Sequence, residues 1–98
     1  MSQTIIQTHT ANFQSESHDC GSSSAQSSAF TFTGKNYALC RIASTGDIHV
    51  KFGTNPTATL EDFLITTGDS EIFKIRSGDK VAFIKEGSSC TVNISILN

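Results

Sequence analysis

The chain has 98 residues, with seven Lys or Arg and nine Asp or Glu, so its net charge is −2 at neutral pH. This length suits one domain, and the charges form no basic patch of the kind that nucleic-acid binding needs. There is no apolar run near the length of a membrane-spanning helix, and Met1 to Thr4 lack the basic and apolar regions of a signal peptide. We therefore expect no nucleic-acid partner, no membrane partner, and synthesis in a reducing cytoplasm.

The first 28 residues are rich in Ser, Gln and Thr and contain no Lys or Arg. Their large apolar side chains are Met1, Ile5, Ile6 and Phe13. Burying such a side chain contributes about 1.5–3 kcal/mol, whereas fixing each backbone residue costs about 1–2 kcal/mol. We therefore predict a flexible Ser-rich N-terminal arm over residues 1–28. It is either a frayed end or a segment ordered by a partner surface, with Ile5, Ile6 and Phe13 as its anchors.

The cysteines and the densest group of potential ligands give no metal signature. His18, Asp19 and Cys20 are consecutive, but no second ligand pair stands at a suitable spacing. Cys20, Cys40 and Cys90 are odd in number and lack a CxxC spacing, which is typical of free thiols in a reducing compartment. We predict no metal and no cofactor.

From residue 29 onward, short β-rich runs recur about every ten residues, separated by Gly, Asp, Asn or Ser. No segment has a convincing helical period, although a single turn is predicted near Thr59–Phe63. This spacing predicts an all-β protein with one small antiparallel β-sandwich over residues 29–98, jelly-roll-like in form, with a small closed barrel as the alternative. The predicted strands are Ala29–Thr33, Tyr37–Ala43, Ile48–Phe52, Asp62–Thr66, Glu71–Arg76, Lys80–Lys85 and Cys90–Leu97.

Two turns suggest hairpins. Thr45-Gly46 would pair Ala43 with Ile48 and Arg41 with Val50. This register places Arg41 on an apolar face. Three explanations are open: Arg41 lies at the end of the sheet, it reaches out to solvent, or it pairs with an acid across a subunit interface. That face would carry Tyr37, Leu39, Ile48, Val50 and Phe52. The turn at residues 77–79 would bring together Phe73, Ile75, Val81 and Phe83, and the last strand alternates Val92, Ile94 and Ile96.

The dipeptide Gly-Asp occurs three times, at positions 46–47, 68–69 and 78–79, each just before a predicted strand. Glycine permits a positive φ, and aspartate accepts backbone hydrogen bonds where a strand begins. Calcium loops instead group several carboxylates within a dozen residues. The repeated dipeptide therefore indicates turns rather than a calcium site.

The proposed hairpin around Thr45-Gly46 places Cys40 and His49 on one side, which is a conceivable nucleophile and base. No orienting acid and no oxyanion donor can be named beside them, and a cysteine on a strand is more often a small buried apolar residue. Phosphate-binding glycine motifs are absent from the sequence. We predict no catalytic residues and no enzyme activity.

Residues 41–59, RIASTGDIHVKFGTNPTAT, and residues 71–84, EIFKIRSGDKVAFI, together resemble a known class of proteins. They are similar to small β-sandwich virion proteins of tailed bacteriophages, which have the order R-I-x-x-T-G-D, then F-G-x-x-P-T-A-T, then x-F-x-I-x-x-G-D-K-V-A-x-I. The resemblance covers about residues 39–97 and leaves out the arm.

The resemblance implies a virion structural protein, above all a capsid decoration (cement) protein that binds the capsid surface as a homo-oligomer, with a trimer favoured. The protein would be assembled in the host cytoplasm and located in the virion. Its partners would be the major capsid protein or other virion subunits, with Arg41 and Asn55 as possible interface residues. The alternative is a receptor- or glycan-binding module of a virion fibre or tail, for which Asn55 in its loop is the sequence hint; a small enzyme or inhibitor is a third hypothesis.

Overall fold

The structure is a computed structural model, and it describes residues 14–97. Over this range the chain forms strands joined by turns and loops. Among these residues no helix has the length and apolar character needed to cross a membrane. The strands are β1 (Ser15–Cys20), β2 (Ala25–Gln26), β3 (Tyr37–Ser44), β4 (Ile48–Gly53), β5 (Phe63–Ile65), β6 (Ser70–Arg76), β7 (Lys80–Lys85) and β8 (Cys90–Leu97).

The eight strands form two four-stranded sheets that pack face to face. Sheet A has the order β1-β8-β3-β6, and sheet B has the order β2-β7-β4-β5. All neighbouring pairs are antiparallel. The pairs are nested in sequence, and successive pairs alternate between the sheets, which is the arrangement of a jelly roll. The prediction of a small all-β sandwich is confirmed.

The core lies between the sheets and is lined by alternate residues of each long strand. On β8, the side chains of Val92, Ile94 and Ile96 are fully buried, as their alternation predicts. Sheet B contributes Val50, Val81, Phe83 and other side chains from the facing side. Buried apolar side chains from both sheets therefore form one continuous core.

The predicted hairpin between β3 and β4 is wrong. β3 pairs with β6 and β8, while β4 pairs with β5 and β7, so residues 45–47 carry the chain from one sheet to the other. The predicted pairs of Ala43 with Ile48 and Arg41 with Val50 do not exist. The inward side of β3 carries Ala38, Cys40 and Ile42, and the outward side carries Tyr37, Leu39 and Arg41.

The second predicted hairpin is also a crossing between sheets. β6 pairs with β3, whereas β7 pairs with β2 and β4. Ile75, Val81 and Phe83 are nevertheless buried in one core, with Phe73 packed against it. These side chains meet across the two sheets rather than along one sheet.

Two strands lie inside the segment that the sequence assigns to the arm. β1 pairs with β8 from Ser15 opposite Ser95 to Cys20 opposite Cys90, and β2 pairs with β7. Ser27 continues that ladder, because its backbone N–H donates to the Val81 carbonyl at 2.8 Å and its Oγ accepts from the Val81 N–H at 2.9 Å. The sandwich therefore begins well before residue 29, and anchors Ile5, Ile6 and Phe13 lie outside the described residues.

Residues 29–33, predicted as a strand, form a connection without regular strand pairing that enters a turn at Thr33. Phe30 is almost completely buried. Its N–H donates to the Asp79 carbonyl at 3.0 Å, and its carbonyl accepts from the Gly78 N–H at 2.6 Å. These two bonds hold the segment at the end of the core and account for the apolar pattern that suggested a strand.

Two of the three Gly-Asp dipeptides close local turns, as predicted, whereas the Asp47 carboxylate of the third accepts from the N–H and hydroxyl of Thr67 in another loop. Gly68 and Gly78 have φ values of 86° and 95°, a region that glycine occupies without strain. The Asp69 carboxylate accepts from the Thr66 hydroxyl, and the Asp79 carboxylate accepts from the Arg76 N–H. Each carboxylate thus closes its own turn and is not held free for an ion.

Deleting residues 1–28 should abolish folding, because it removes β1, β2 and the buried side chains of Cys20 and Ser27. The loss would uncover the β8 edge and exceed the few kcal/mol by which a small domain is stable. Deleting residues 1–13 alone, the matched control, should leave a cooperative melting transition. Circular dichroism during heating distinguishes the two, and a cooperative transition in residues 29–98 would contradict the strand assignment.

Gly46→Ala should destabilise the fold by about 1–3 kcal/mol, because overpacking forces the neighbouring atoms to shift. A Cβ at this position would lie 2.8 Å from Cβ of Cys90. Gly87→Ala is the matched control, since a Cβ there meets nothing within 4 Å; it should change stability by less than about 0.5 kcal/mol. Urea unfolding of both variants measures the difference, and equal stabilities would contradict the close packing of Gly46 on Cys90.

Candidate assembly interface

The outer face of sheet A carries a cluster of exposed apolar and cationic side chains. On β3 and β6, Leu39 lies opposite Lys74 and Arg41 lies opposite Ile72. Tyr37, Leu39 and Ile72 are 48%, 44% and 56% exposed, which is high for large apolar side chains. We call these five residues the basic patch. Exposed apolar side chains that lie next to each other often mark an interaction surface.

The charges of the basic patch are of one sign. The outward positions of β3 and β6 carry Arg41, Lys74 and Arg76 and no carboxylate. Lys74 places its Nζ 4.8 Å from the centre of the Tyr37 ring, a cation–π contact. Over residues 14–97, no carboxylate lies within 4 Å of the Arg41 guanidinium. A negatively charged surface would complement this face.

The outer face of sheet B, in contrast, is partly covered by the chain itself. Ala82 lies on that face yet is fully buried. The connection between β4 and β5 crosses over it, because the side-chain amide of Gln26 on β2 donates to Asn55 Oδ1 at 2.9 Å and to the Pro56 carbonyl at 2.7 Å. Ser24 Oγ accepts from the Ala58 N–H at 2.8 Å. No described segment covers the outer face of sheet A in this way.

A second exposed apolar cluster lies at the β5 end of sheet B. Leu64 is opposite His49 and points outward, since the next residue, Ile65, is buried in the core. The turn before β5 is closed by Asp62, whose carboxylate accepts from the Thr59 N–H at 2.7 Å. Leu60 and Glu61 are exposed within this turn. We call Leu60, Glu61 and Leu64 the acidic patch; Leu60 and Leu64 are 56% and 44% exposed.

His49 fastens the β5 end to the neighbouring loops. Its side chain is buried, with Nδ1 2.8 Å from the Asp62 carbonyl oxygen and Nε2 in contact with the Glu86 carboxylate. Both partners are acceptors, so both ring nitrogens donate when the imidazole is protonated. Burial lowers the pKa of His49, but the hydrogen bonds from its ring to Glu86 and Asp62 outweigh burial and hold the pKa above its ordinary value.

This arrangement corrects the suggested pairing of Cys40 with His49. Cys40 is fully buried in the core on sheet A, and burial raises the pKa of its thiol to about 12. His49 lies on the outer side of sheet B with both nitrogens occupied. The two side chains are on different sheets and cannot act together.

The consecutive residues His18, Asp19 and Cys20 lie on β1, and their side chains do not converge on one site. Asp19 is exposed, Cys20 is buried in the core, and His18 Nε2 lies 2.7 Å from Glu16 Oε1. Among residues 14–97 no three His, Cys, Asp or Glu side chains come close enough together to hold a metal ion.

The structure places the two interface residues proposed from sequence, Arg41 and Asn55, in different surroundings. Arg41 is exposed within the basic patch and points to solvent on the outer face of sheet A, one of the alternatives that its misfit left open. Asn55 is tied to Gln26 within the chain. Ile72, Lys74, Leu60 and Leu64 were missed as surface residues. These residues could have been found as apolar residues on the side of a strand or turn that faces away from the core. Recognising that side requires knowing the sheet to which the strand belongs.

Comparison with known proteins gives a structural relative. No family model and no curated protein matches the chain. A solved structure described as "Bacillus endospore appendages form a novel family of disulfide-linked pili" matches with a TM-score of 0.52 and 20% sequence identity. The match covers 99% of this chain and 96% of that one. At this identity the similarity establishes the shared fold.

This comparison corrects the predicted role and location. The structural relative belongs to a bacterial endospore pilus and not to a phage virion. The predictions of a capsid decoration protein and of a virion location are therefore wrong, and the comparison does not support a major capsid protein as partner. The sequence resembled phage proteins mostly through turn and core residues, which are set by the fold and carry little information about role.

The contacts of His49 with Glu86 and Asp62 should make the stability of the fold depend on pH. A histidine whose pKa is raised in the folded state contributes stability that is present below its unfolded pKa, about 6.5, and is lost as pH rises through the folded pKa. The free energy of unfolding should therefore fall as pH rises above about 6.5, the unfolded pKa of histidine. Urea unfolding at several pH values measures this slope.

Two variants isolate the source of that slope. His49→Gln and Glu86→Gln each remove one member of the contact and should flatten the slope. Glu71→Gln, on the other sheet, should keep it. A slope that persists in His49→Gln would show that another group causes the pH dependence.

Proposed function

We propose that the chain is a structural subunit without catalytic activity that assembles with copies of itself. The single observation that carries this proposal is the basic patch, an exposed apolar surface whose cations have no carboxylate partner among residues 14–97, on an otherwise well-packed sheet. The similar solved structure, a subunit of an endospore pilus, supports an assembly role for this fold. A non-enzymatic role agrees with the separation of Cys40 from His49.

The acidic patch is the surface that complements the basic patch. Both contain large exposed apolar side chains, and Glu61 supplies the charge opposite to that of Arg41 and Lys74. Apolar contact would supply affinity, and the opposite charges would favour the correct orientation of the two copies.

The positions of the two patches favour an open-ended assembly. The basic patch lies on the outer side of sheet A, and Leu64 points outward from sheet B, so the two surfaces face away from each other. A contact between different surfaces of two copies leaves one patch free at each end. Repeating the contact builds a ring if the rotation closes and a filament if it does not. The trimer expected from sequence would be a closed ring.

A mixing experiment tests this assignment. Ile72→Glu places a carboxylate in the basic patch, and Leu60→Glu places one in the acidic patch, so each variant alone should remain monomeric. Mixed in equal amounts, they should form a dimer that grows no further, because one variant keeps each patch. Sedimentation velocity measures the three samples, and a dissociation constant weakened at least about tenfold is expected for each variant, from about 1.4 kcal/mol or more of lost contact.

Ser17→Glu is the matched control. It places the same charge on the outer face of sheet A at the edge strand farthest from β6, and it should leave assembly unchanged. If the mixed variants form no dimer, the proposed pairing of the two patches is contradicted. Equal loss of assembly in Ser17→Glu would show that general charge, rather than the basic patch, controls association.

A further inference from the structure

Two of the three cysteines face each other at one end of sheet A. Cys20 is the last residue of β1 and is directly opposite Cys90, the first residue of β8. Directly opposed residues of antiparallel strands have Cα atoms about 4.5–5.5 Å apart, which lies within the range that a disulfide spans. Directly opposed side chains lie on the same face of the sheet. The register therefore places the two thiol side chains next to each other.

The surroundings leave room for these sulfur atoms and access to one of them. Gly46 has no side chain where a Cβ would lie 3.3 Å from Cys90 Sγ. Both cysteines line a surface depression of about 530 Å³, in which Cys20 is almost completely buried and Cys90 is half-buried. An oxidant can therefore reach Cys90 first, with Cys20 positioned behind it.

We propose that Cys20 and Cys90 form a redox modification site that closes into a cross-strand disulfide within one chain. The oxidant is a small disulfide such as glutathione disulfide. The Cys90 thiolate attacks one of its sulfur atoms and releases one glutathione; Cys20 then attacks Sγ of Cys90 and releases the second. One S–S bond forms and one breaks, two electrons pass to the oxidant, and the two thiol protons end on the two glutathiones.

The third cysteine cannot take part in this closure. Cys40 lies opposite Phe73 and Ile96 in the middle of sheet A and is fully buried. The closed bond would instead fasten β1, an edge strand, to β8 covalently. Burial and the neighbouring Cys90 raise the pKa of Cys20 to about 12, so closure should become faster as pH rises.

The test uses the full reduced chain incubated with glutathione disulfide, then quenched with acid, unfolded and alkylated. Mass spectrometry should find a monomer lighter by two hydrogens before alkylation, a peptide linked through Cys20 and Cys90, and alkylated Cys40. The Tm should rise by roughly 10 °C and return on reduction, because the bond closes a long loop in the unfolded chain.

Variants separate closure from other thiol reactions. Cys90→Ser should lose the rise in Tm, whereas Cys40→Ala, the matched control, should still form the linked peptide even if its Tm is lower. A chain that keeps one glutathione on Cys90, or that forms a covalent dimer through Cys90, would overturn the proposal. A linked peptide that contains Cys40 would overturn it as well.

Discussion

The alternation of strand pairing between two sheets is the constraint on which this structure depends. Within residues 14–97, β4 and β5 are the one consecutive pair that lies in the same sheet; every other connection crosses the sandwich. Each strand other than β4 and β5 therefore finds its hydrogen-bond partners far along the chain, and β1 pairs with β8 at the opposite end of the described range. Such nonlocal pairing requires most of the chain to be in place before any sheet is complete.

The same constraint decides which surfaces stay uncovered. The β4–β5 connection stays on sheet B and is long enough to cross β7 and bond to Gln26, so it covers part of that sheet. The connections that cross between the sheets lie at the ends of the sandwich and do not cover the outer face of a sheet. The outer face of β3 and β6 is therefore left with Leu39 and Ile72 exposed between cations. This difference between the two sheets gives the molecule two unlike outer surfaces.

Local sequence determined the strands where alternation and turn residues agreed. β7 and β8 have the predicted bounds, because alternating Val, Ile and Phe lie between clear turns. Alternation did not show which side of β3 faces the core. Tyr37 and Leu39 are larger apolar residues than Ala38 and Cys40, yet Ala38 and Cys40 are the buried pair. Which sheet a strand joins depends on distant partners and on no local pattern.

The missed strands and the partly predicted site have related causes. β1 is an edge strand with Ser15, Ser17 and Asp19 exposed, so it carries almost no apolar pattern. It is stabilised by its ladder with β8 and by the burial of Cys20. Arg41 could be predicted as a surface candidate because a charge within an apolar stripe is conspicuous. Ile72 alternates with Phe73 and Ile75, but its place beside Arg41 depends on the pairing of β6 with β3.

The proposed binding of the basic patch to the acidic patch of another copy would make association depend on both concentration and charge. Sedimentation velocity of the full chain over a concentration series, at low and high salt, measures both dependences at once. The mean sedimentation coefficient should rise continuously with concentration, without stopping at one closed size, and should fall when salt screens the charges. A single monomer at every concentration and salt level would contradict assembly through these patches.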